Sequence, residues 1–205
     1  MKYFLRSFLT ISIVLGFIMS PHAISAAAPT KGLSGAGDKL LKKVDMKVVR
    51  QTWLGWYNTE RESLGRAPYT YNSRLNNSAY RWSKAARSRG YIDHKRPGQT
   101  AYYDYPIIAQ WFKDFGLVFE NVYRVTFSEN IGGGYYKCVE SDCTQEMIDA
   151  LRPTFDFYMR EKGKPSAPHY NSMTNKYFKE IGLGIAVNNS NGKLYITIHY
   201  GTRIL

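Results

Sequence analysis

Few side chains here could bind a metal or move a proton, and their positions are informative. Of the four histidines, His22 lies in an N-terminal stretch that reads as a removable leader, leaving His94, His169 and His199. Two carboxylates stand out beside them. Glu129 sits in Ser128-Glu129-Asn130-Ile131, just before Gly132-Gly133-Gly134, and Glu161 follows Tyr158 by three residues, on the apolar face of its helix. An acid in that position is costly to bury without a partner, so a polar cluster with the nearby loop carrying His169 is expected. Neutral imidazoles can hold a divalent ion with carboxylates as ligands or orienters, and the same groups can do general acid–base work. No G-x-S-x-G, H-E-x-x-H or phosphate-binding loop occurs.

The elements that must position these groups follow from apolar spacing. Residues 44–64 read as a helix with Val49, Trp53, Trp56 and Leu64 near one face and Arg50, Glu60 and Arg61 toward water. Gly65 and Pro68 end it. A second helix runs from about Leu75 to Arg89, with Asn72 or Ser73 as cap and Gly90 as stop. A short third helix opens at Pro106 and ends at Gly116. Phe119 to Phe127 reads as a strand, followed by a loop at the three glycines. The last helix spans about Gln145 to Lys162, with a kink expected at Pro153. Ile181, Leu183, Ile185 and Val187 alternate with small residues, Asn191-Gly192 turns the chain, and Leu194, Ile196, Ile198 and Tyr200 alternate back. His199 falls on the opposite face from Ile196 and Ile198. This order predicts an α+β fold, helices covering a mostly antiparallel sheet.

The N-terminus carries a positive head (Lys2, Arg6), an apolar run from Phe8 to Ile18, and the small-residue exit Ala23-Ile24-Ser25-Ala26. That is the pattern of a secretory signal peptide cleaved near Ala26. The expected organisation is signal peptide 1–26, flexible leader 27–43 and one folded domain 44–205. Without the signal, 26 basic residues face 16 acidic ones, a charge of about +10. The cations are scattered, and export sets nucleic acid aside as a partner. The only cysteines, Cys138 and Cys143, are expected to form a short-loop disulfide in an oxidising compartment.

Several of these segments resemble one family. Trp56-Tyr57-Asn58-Thr59-Glu60-Arg61 with Gly65-Arg66-Ala67-Pro68-Tyr69 is similar to the opening helix of the CAP superfamily of cysteine-rich secretory proteins, antigen 5 and plant pathogenesis-related proteins. Leu75, Ala79 and Trp82 followed by His94, then Ser128-Glu129-Asn130-Ile131, Tyr158-Met159-Arg160-Glu161, His169-Tyr170 and Phe178–Gly184 resemble its later motifs. The resemblance implies a three-layer α-β-α sandwich and a cleft tetrad of His94, Glu129, Glu161 and His169. It also implies a divalent metal, often zinc, on His94 and His169, with Glu129 and Glu161 as further candidates. Phe119-Glu120-Asn121-Val122 is a decoy for the Glu-Asn motif, and Glu129 is preferred because Ile131 and the glycines follow it. Ser128 replaces the family glycine, the stretch from Gly98 to Val125 is long, and the Thr-Gln after the second histidine is absent, which points to a bacterial-type single-domain member.

Three functions compete. The first is a secreted binding protein with a His/Glu metal cleft and no turnover. The second is a metal-assisted or acid–base hydrolase of peptide or cell-wall material. The third is a lipid or sterol carrier that uses the aromatics Tyr102, Tyr103, Tyr105, Trp111 and Phe112. The extracellular partner is accordingly a lipid, a sterol or a cell-wall polymer.

Overall fold

The computed structural model describes residues 39–205; the expected signal peptide and most of the leader lie outside them. Helix α1 (Met46–Ser63) starts at Asp45, whose carboxylate accepts the Lys47 and Val48 amides. Strand β1 (Thr70–Tyr71) follows, then α2 (Ser73–Arg89), capped by Asn72 and closed by Gly90 in the left-handed region as the sequence indicated. After α3 (Tyr105–Asp114) come β2 (Phe127–Tyr135), α4 (Thr144–Met159), α5 (Pro168–Met173), β3 (Glu180–Val187) and β4 (Lys193–Gly201).

The sheet runs β1-β3-β4-β2. β3 and β4 form the expected antiparallel hairpin and β2 pairs antiparallel with β4, but β1 lies parallel to β3. The sheet is therefore mixed rather than mostly antiparallel. β1 escaped the sequence reading because a two-residue strand carries no period.

Alternation divides β3 by size. Ile181, Leu183, Ile185 and Val187 join Leu194, Ile196, Ile198 and Tyr200 of β4 in the main core, against Val49, Trp53 and Tyr57 of α1 and Met147, Leu151, Phe155 and Tyr158 of α4. The small residues face α2. A Cβ at Gly182 would lie 2.3 Å from the Asn76 amide nitrogen, and one at Gly184 would lie 2.1 Å from the Ala79 carbonyl carbon. The backbone of α2 thus rests directly on β3. A smaller core of Leu75, Ile108, Phe112, Leu117 and Phe127 seals α3 onto the same face. With α1 and α4 on one side and α2 and α3 on the other, the layers are α-β-α.

Three local expectations change. The strand predicted over 119–127 begins where that stretch ends and runs through the glycines predicted to be a loop. The glycines are needed there, since a Cβ at Gly132 would meet Thr154 Cγ2 of α4 at 2.4 Å. The last helix stops at Met159, and α5 follows it separately. Finally, Arg61, placed toward water by its helical position, is fully buried. Its guanidinium donates to Ala67 O (2.8 Å), Met173 O (3.3 Å), Asn175 O (3.0 Å) and Phe178 O (3.0 Å) and lies over the Tyr69 ring. Arg50 and Glu60 are buried as well, Glu60 accepting from Lys162 Nζ at 2.9 Å.

Cys138 and Cys143 are bridged, as expected. Their loop holds the end of the leader. The Cys143 amide donates to Lys43 O and Lys43 Nζ to Glu140 O, both at 2.7 Å, while Lys39–Lys43 forms a 3-10 turn.

These contacts can be probed by substitution. Gly184→Ala should leave no folded protein in the soluble fraction, because the added carbon meets helix backbone; soluble protein with a cooperative melt would contradict the packing. Arg61→Met should lower unfolding free energy in urea by about 3 kcal/mol, since several buried carbonyls lose their donor.

Candidate functional site

Glu129 points from β2 toward α2, directly opposite His199 of β4. Its side chain is wholly buried, and four donors converge on it. Oε1 accepts from His94 Nδ1 (2.8 Å) and Arg96 Nη1 (2.7 Å), and Oε2 from Arg96 Nη2 (2.6 Å) and His199 Nε2 (2.7 Å). Burial alone would raise this carboxyl, but the Arg96 charge and its hydrogen bonds, with those from His199 and His94, outweigh it and hold the group well below the usual carboxylate range. Arg96 is itself buried and lies against the ring of Trp82 at 4.0 Å and that of Trp111 at 5.3 Å.

His199 extends the network inward. Burial pushes its imidazole below the ordinary 6.5, with Glu129 opposing. Its Nε2 faces Glu129 at 2.7 Å, and its Nδ1 lies 2.7 Å from the Ser78 hydroxyl of α2, which donates to Leu75 O at 2.9 Å. Ser78, His199 and Glu129 form a serine–histidine–carboxylate line, yet Ser78 is fully buried and cannot meet a substrate.

Glu161 forms the second pair. Its Oε1 accepts from His169 Nδ1 at 2.6 Å, and its Oε2 accepts the His169 and Tyr170 amides at 2.8 and 3.1 Å. α5 has alanine at its cap position and no side-chain cap of its own. Glu161, carried on the turn after α4, supplies the missing acceptor. Burial raises this carboxyl, but the hydrogen bonds from His169 and Tyr170 bring it below its ordinary value. The His169 ring stacks on Tyr158 at 4.9 Å.

The four residues singled out in the sequence thus form two pairs, His94 with Glu129 and Glu161 with His169. β2 links them: Ser128 Oγ lies 2.8 Å from Ser172 Oγ, and Asn130 Nδ2 donates to His169 O at 3.1 Å. Each carboxylate accepts its imidazole's Nδ1 proton, so in the neutral ring Nε2 of His94 and of His169 keeps a lone pair. The tetrad residues fit a metal only in part. The oxygens of Glu129 are saturated by donors, and among the described residues no three His, Cys, Asp or Glu side chains are gathered as a metal cage requires. Glu120 is apart from both pairs, with Oε1 3.0 Å from Arg203 on the surface.

Arg96 and His199 were missed as site residues. His199 could have been found from its alternation on β4; nothing in the sequence distinguishes Arg96 from other arginines. The aromatics of the long insertion divide. Tyr102 and Tyr103 set their rings edge-on to His94, each at 5.2 Å, and burial, then the Glu129 charge, raises the Tyr103 hydroxyl. Tyr105 stacks on Phe127, Phe112 fills the smaller core, and Trp111 lies edge-on to Trp82.

A comparison with protein-family models matches residues 54–200 to CAP, the cysteine-rich secretory protein family. The chain belongs to this family. Among solved structures, an outer surface protein from Borrelia burgdorferi is similar to this CAP domain over 78% of this chain and 98% of its own, with TM-score 0.53 and 14% identity. An extracellular SCP-domain protein from Bacillus anthracis str. Ames is similar over 75% of this chain but only 40% of its own length, with TM-score 0.48 and 18% identity. A crystal structure of NaASP2 with Zn2+ is similar over 75% of this chain and 78% of its own, with TM-score 0.47 and 14% identity. The comparison with curated proteins gave no match. At such identities the likeness describes fold alone. Within the described residues, no helix is long and apolar enough to cross a membrane.

The shifts set a direction for acid stability. His199 has a folded-state pKa below its ordinary 6.5, and Glu129 and Glu161 have theirs below 4.5. In each case the unfolded chain binds more protons than the folded one as pH falls through the window, so stability is lost downward. Urea midpoints should be flat at neutral pH, fall from about pH 6.5 as His199 contributes, and fall more steeply below about pH 4.5. His199→Gln should remove the upper part of that decline while leaving the lower part.

Proposed function

We propose that this CAP domain acts outside the cytoplasm as a binding protein without turnover, and that its cleft offers Nε2 of His94 and of His169 to a divalent cation, with zinc the first candidate. The observation that carries this reading is the matched arrangement of the two imidazoles, each with its Nδ1 proton engaged by a carboxylate and its Nε2 left as the donor atom. Such second-sphere carboxylates fix the tautomer and ring orientation of histidine ligands. Water would complete the shell, because Glu129 is engaged by Arg96, His94 and His199. Export is supported by the positive head and apolar run at the N-terminus and by the Cys138–Cys143 bridge, which suits an oxidising compartment.

The hydrolase reading has less support in so far as it uses Glu129 as the base, since the oxygens of that carboxylate are engaged by Arg96, His94 and His199. The carrier reading is weakened by Tyr105, Trp111 and Phe112, which pack against β2 and α2.

Calorimetric titration of zinc into chelator-treated protein tests the proposal. His94→Ala combined with His169→Ala should weaken zinc binding more than about ten-fold, the usual size of losing imidazole ligation or its support. Equal binding by that double variant would remove these residues from the metal site.

A further inference from the structure

The end of the sheet where α2 stops carries a surface that neither the cleft nor the core accounts for. Gly90 closes α2, and the next two residues, Tyr91 and Ile92, are 55% and 41% exposed. Ile92 reaches β2, where its Cγ2 lies 3.9 Å from the position a Cβ would take on Gly133. Gly133 and Tyr135 share one face of β2, two residues apart, and Tyr135 is 74% exposed, directly opposite Lys193 of β4. Lys193 Nζ in turn donates to Gly90 O at 2.7 Å. Tyr91, Ile92 and Tyr135 are thus gathered at one end of the sheet around a lysine.

Around Tyr91 and Ile92 the cations Arg89, Lys95 and Lys193 stand against one acid, Asp93. Arg89 Nη2 donates to Asp93 O at 3.2 Å and lies over the Tyr91 ring, and Lys95 is exposed on the same loop. Among the described residues, none of Arg89, Lys95 and Lys193 is ion-paired to a carboxylate. Asp93 is the acid of this loop, and its carboxylate accepts the Lys95 amide. On its other side Tyr135 lines a groove with the acids Glu146 and Asp149 and with Lys137.

We infer that this surface docks on an anionic lipid bilayer, with Tyr91, Ile92 and Tyr135 entering the interface and Arg89, Lys95 and Lys193 meeting the headgroups. Tyrosine suits the boundary between headgroup and acyl chain, and cations around an apolar tip suit a negative leaflet. A sugar or polyphosphate chain would explain the cations, but Ile92 offers such a polymer no hydrogen bond. The inference is independent of the metal reading, because it uses none of the four cleft residues.

Co-sedimentation of the full exported chain with vesicles decides it. The vesicles are phosphatidylcholine alone or with about one third phosphatidylglycerol. Binding should require the anionic lipid and be lost at about 0.5 M salt, where the Debye length shrinks to a few ångströms. Lys95→Gln should weaken it about five-fold, the effect of one cation near a charged leaflet. Tyr91→Ser with Ile92→Ser, both exposed and so compatible with an unchanged melt, should weaken it at least about ten-fold. Failure to sediment with anionic vesicles would overturn the inference. So would a Tyr91/Ile92 double variant that binds like the unaltered protein, or full displacement from vesicles by soluble poly(glycerol phosphate) at matched phosphate, which would assign the cations to a polymer.

Discussion

Glu129 keeps a negative charge in a place without water, and much of the molecule is arranged around that. Its four donors come from the loop after α2, which carries His94 and Arg96, and from His199 of β4. Removing one partner of a buried ion pair typically costs about 3–5 kcal/mol because the other charge is stranded. The pairing of β2 with β4 is therefore set by charge as well as by shape. A slip of one residue would turn Glu129 toward the side of Tyr200 and Ile198, where the core is apolar. The Arg96 guanidinium is fixed in turn by two indole faces, and His94 is fixed by both the carboxylate and the tyrosines beside it.

The second imidazole is placed by different means. α5 has six residues, too few to hold a helix unaided. At its N-terminus the Glu161 carboxylate takes two amides, and at its C-terminus the Arg61 guanidinium takes the Met173 carbonyl and that of Asn175 just beyond. The anion is at the positive end and the cation at the negative end, the arrangement that the helix dipole favours. His169 is thus held by α4 and α1 together, although neither touches its ring nitrogens except through Glu161.

Much of this was legible in the sequence because it obeys local rules. The caps at Asn72 and Gly90, the Pro106 start and the Asn191-Gly192 turn are chemical signals within a few residues of where they act. The preference for Glu129 over Glu120 came from its neighbours; in the structure Glu129 meets His94, and Glu120 meets Arg203. The misses share a cause, which is that the deciding partner lies far along the chain. Arg61 looked like a surface residue because its helix face is polar; its acceptors lie at Ala67 and beyond residue 172. Gly132-Gly133-Gly134 looked like a loop because glycine usually breaks a strand, whereas here Thr154 requires the space above Gly132. Arg96 is recognisable only once Glu129, thirty-three residues later, is beside it.

The two glycines under α2 also bear on when the site can exist. As a chain emerges from the ribosome N-terminus first, α2 is made long before β3 and β4, which are its floor. Ser78 must wait for His199, and the Glu129 carboxylate must wait for the same residue, six short of the last one described. Until the final hairpin closes, α2 has no surface to settle on, and His94 has only part of its frame. The site is thus assembled by contacts with a long reach in sequence. A chain that stalled before β4 would present His94 beside a Glu129 that lacks one of its donors.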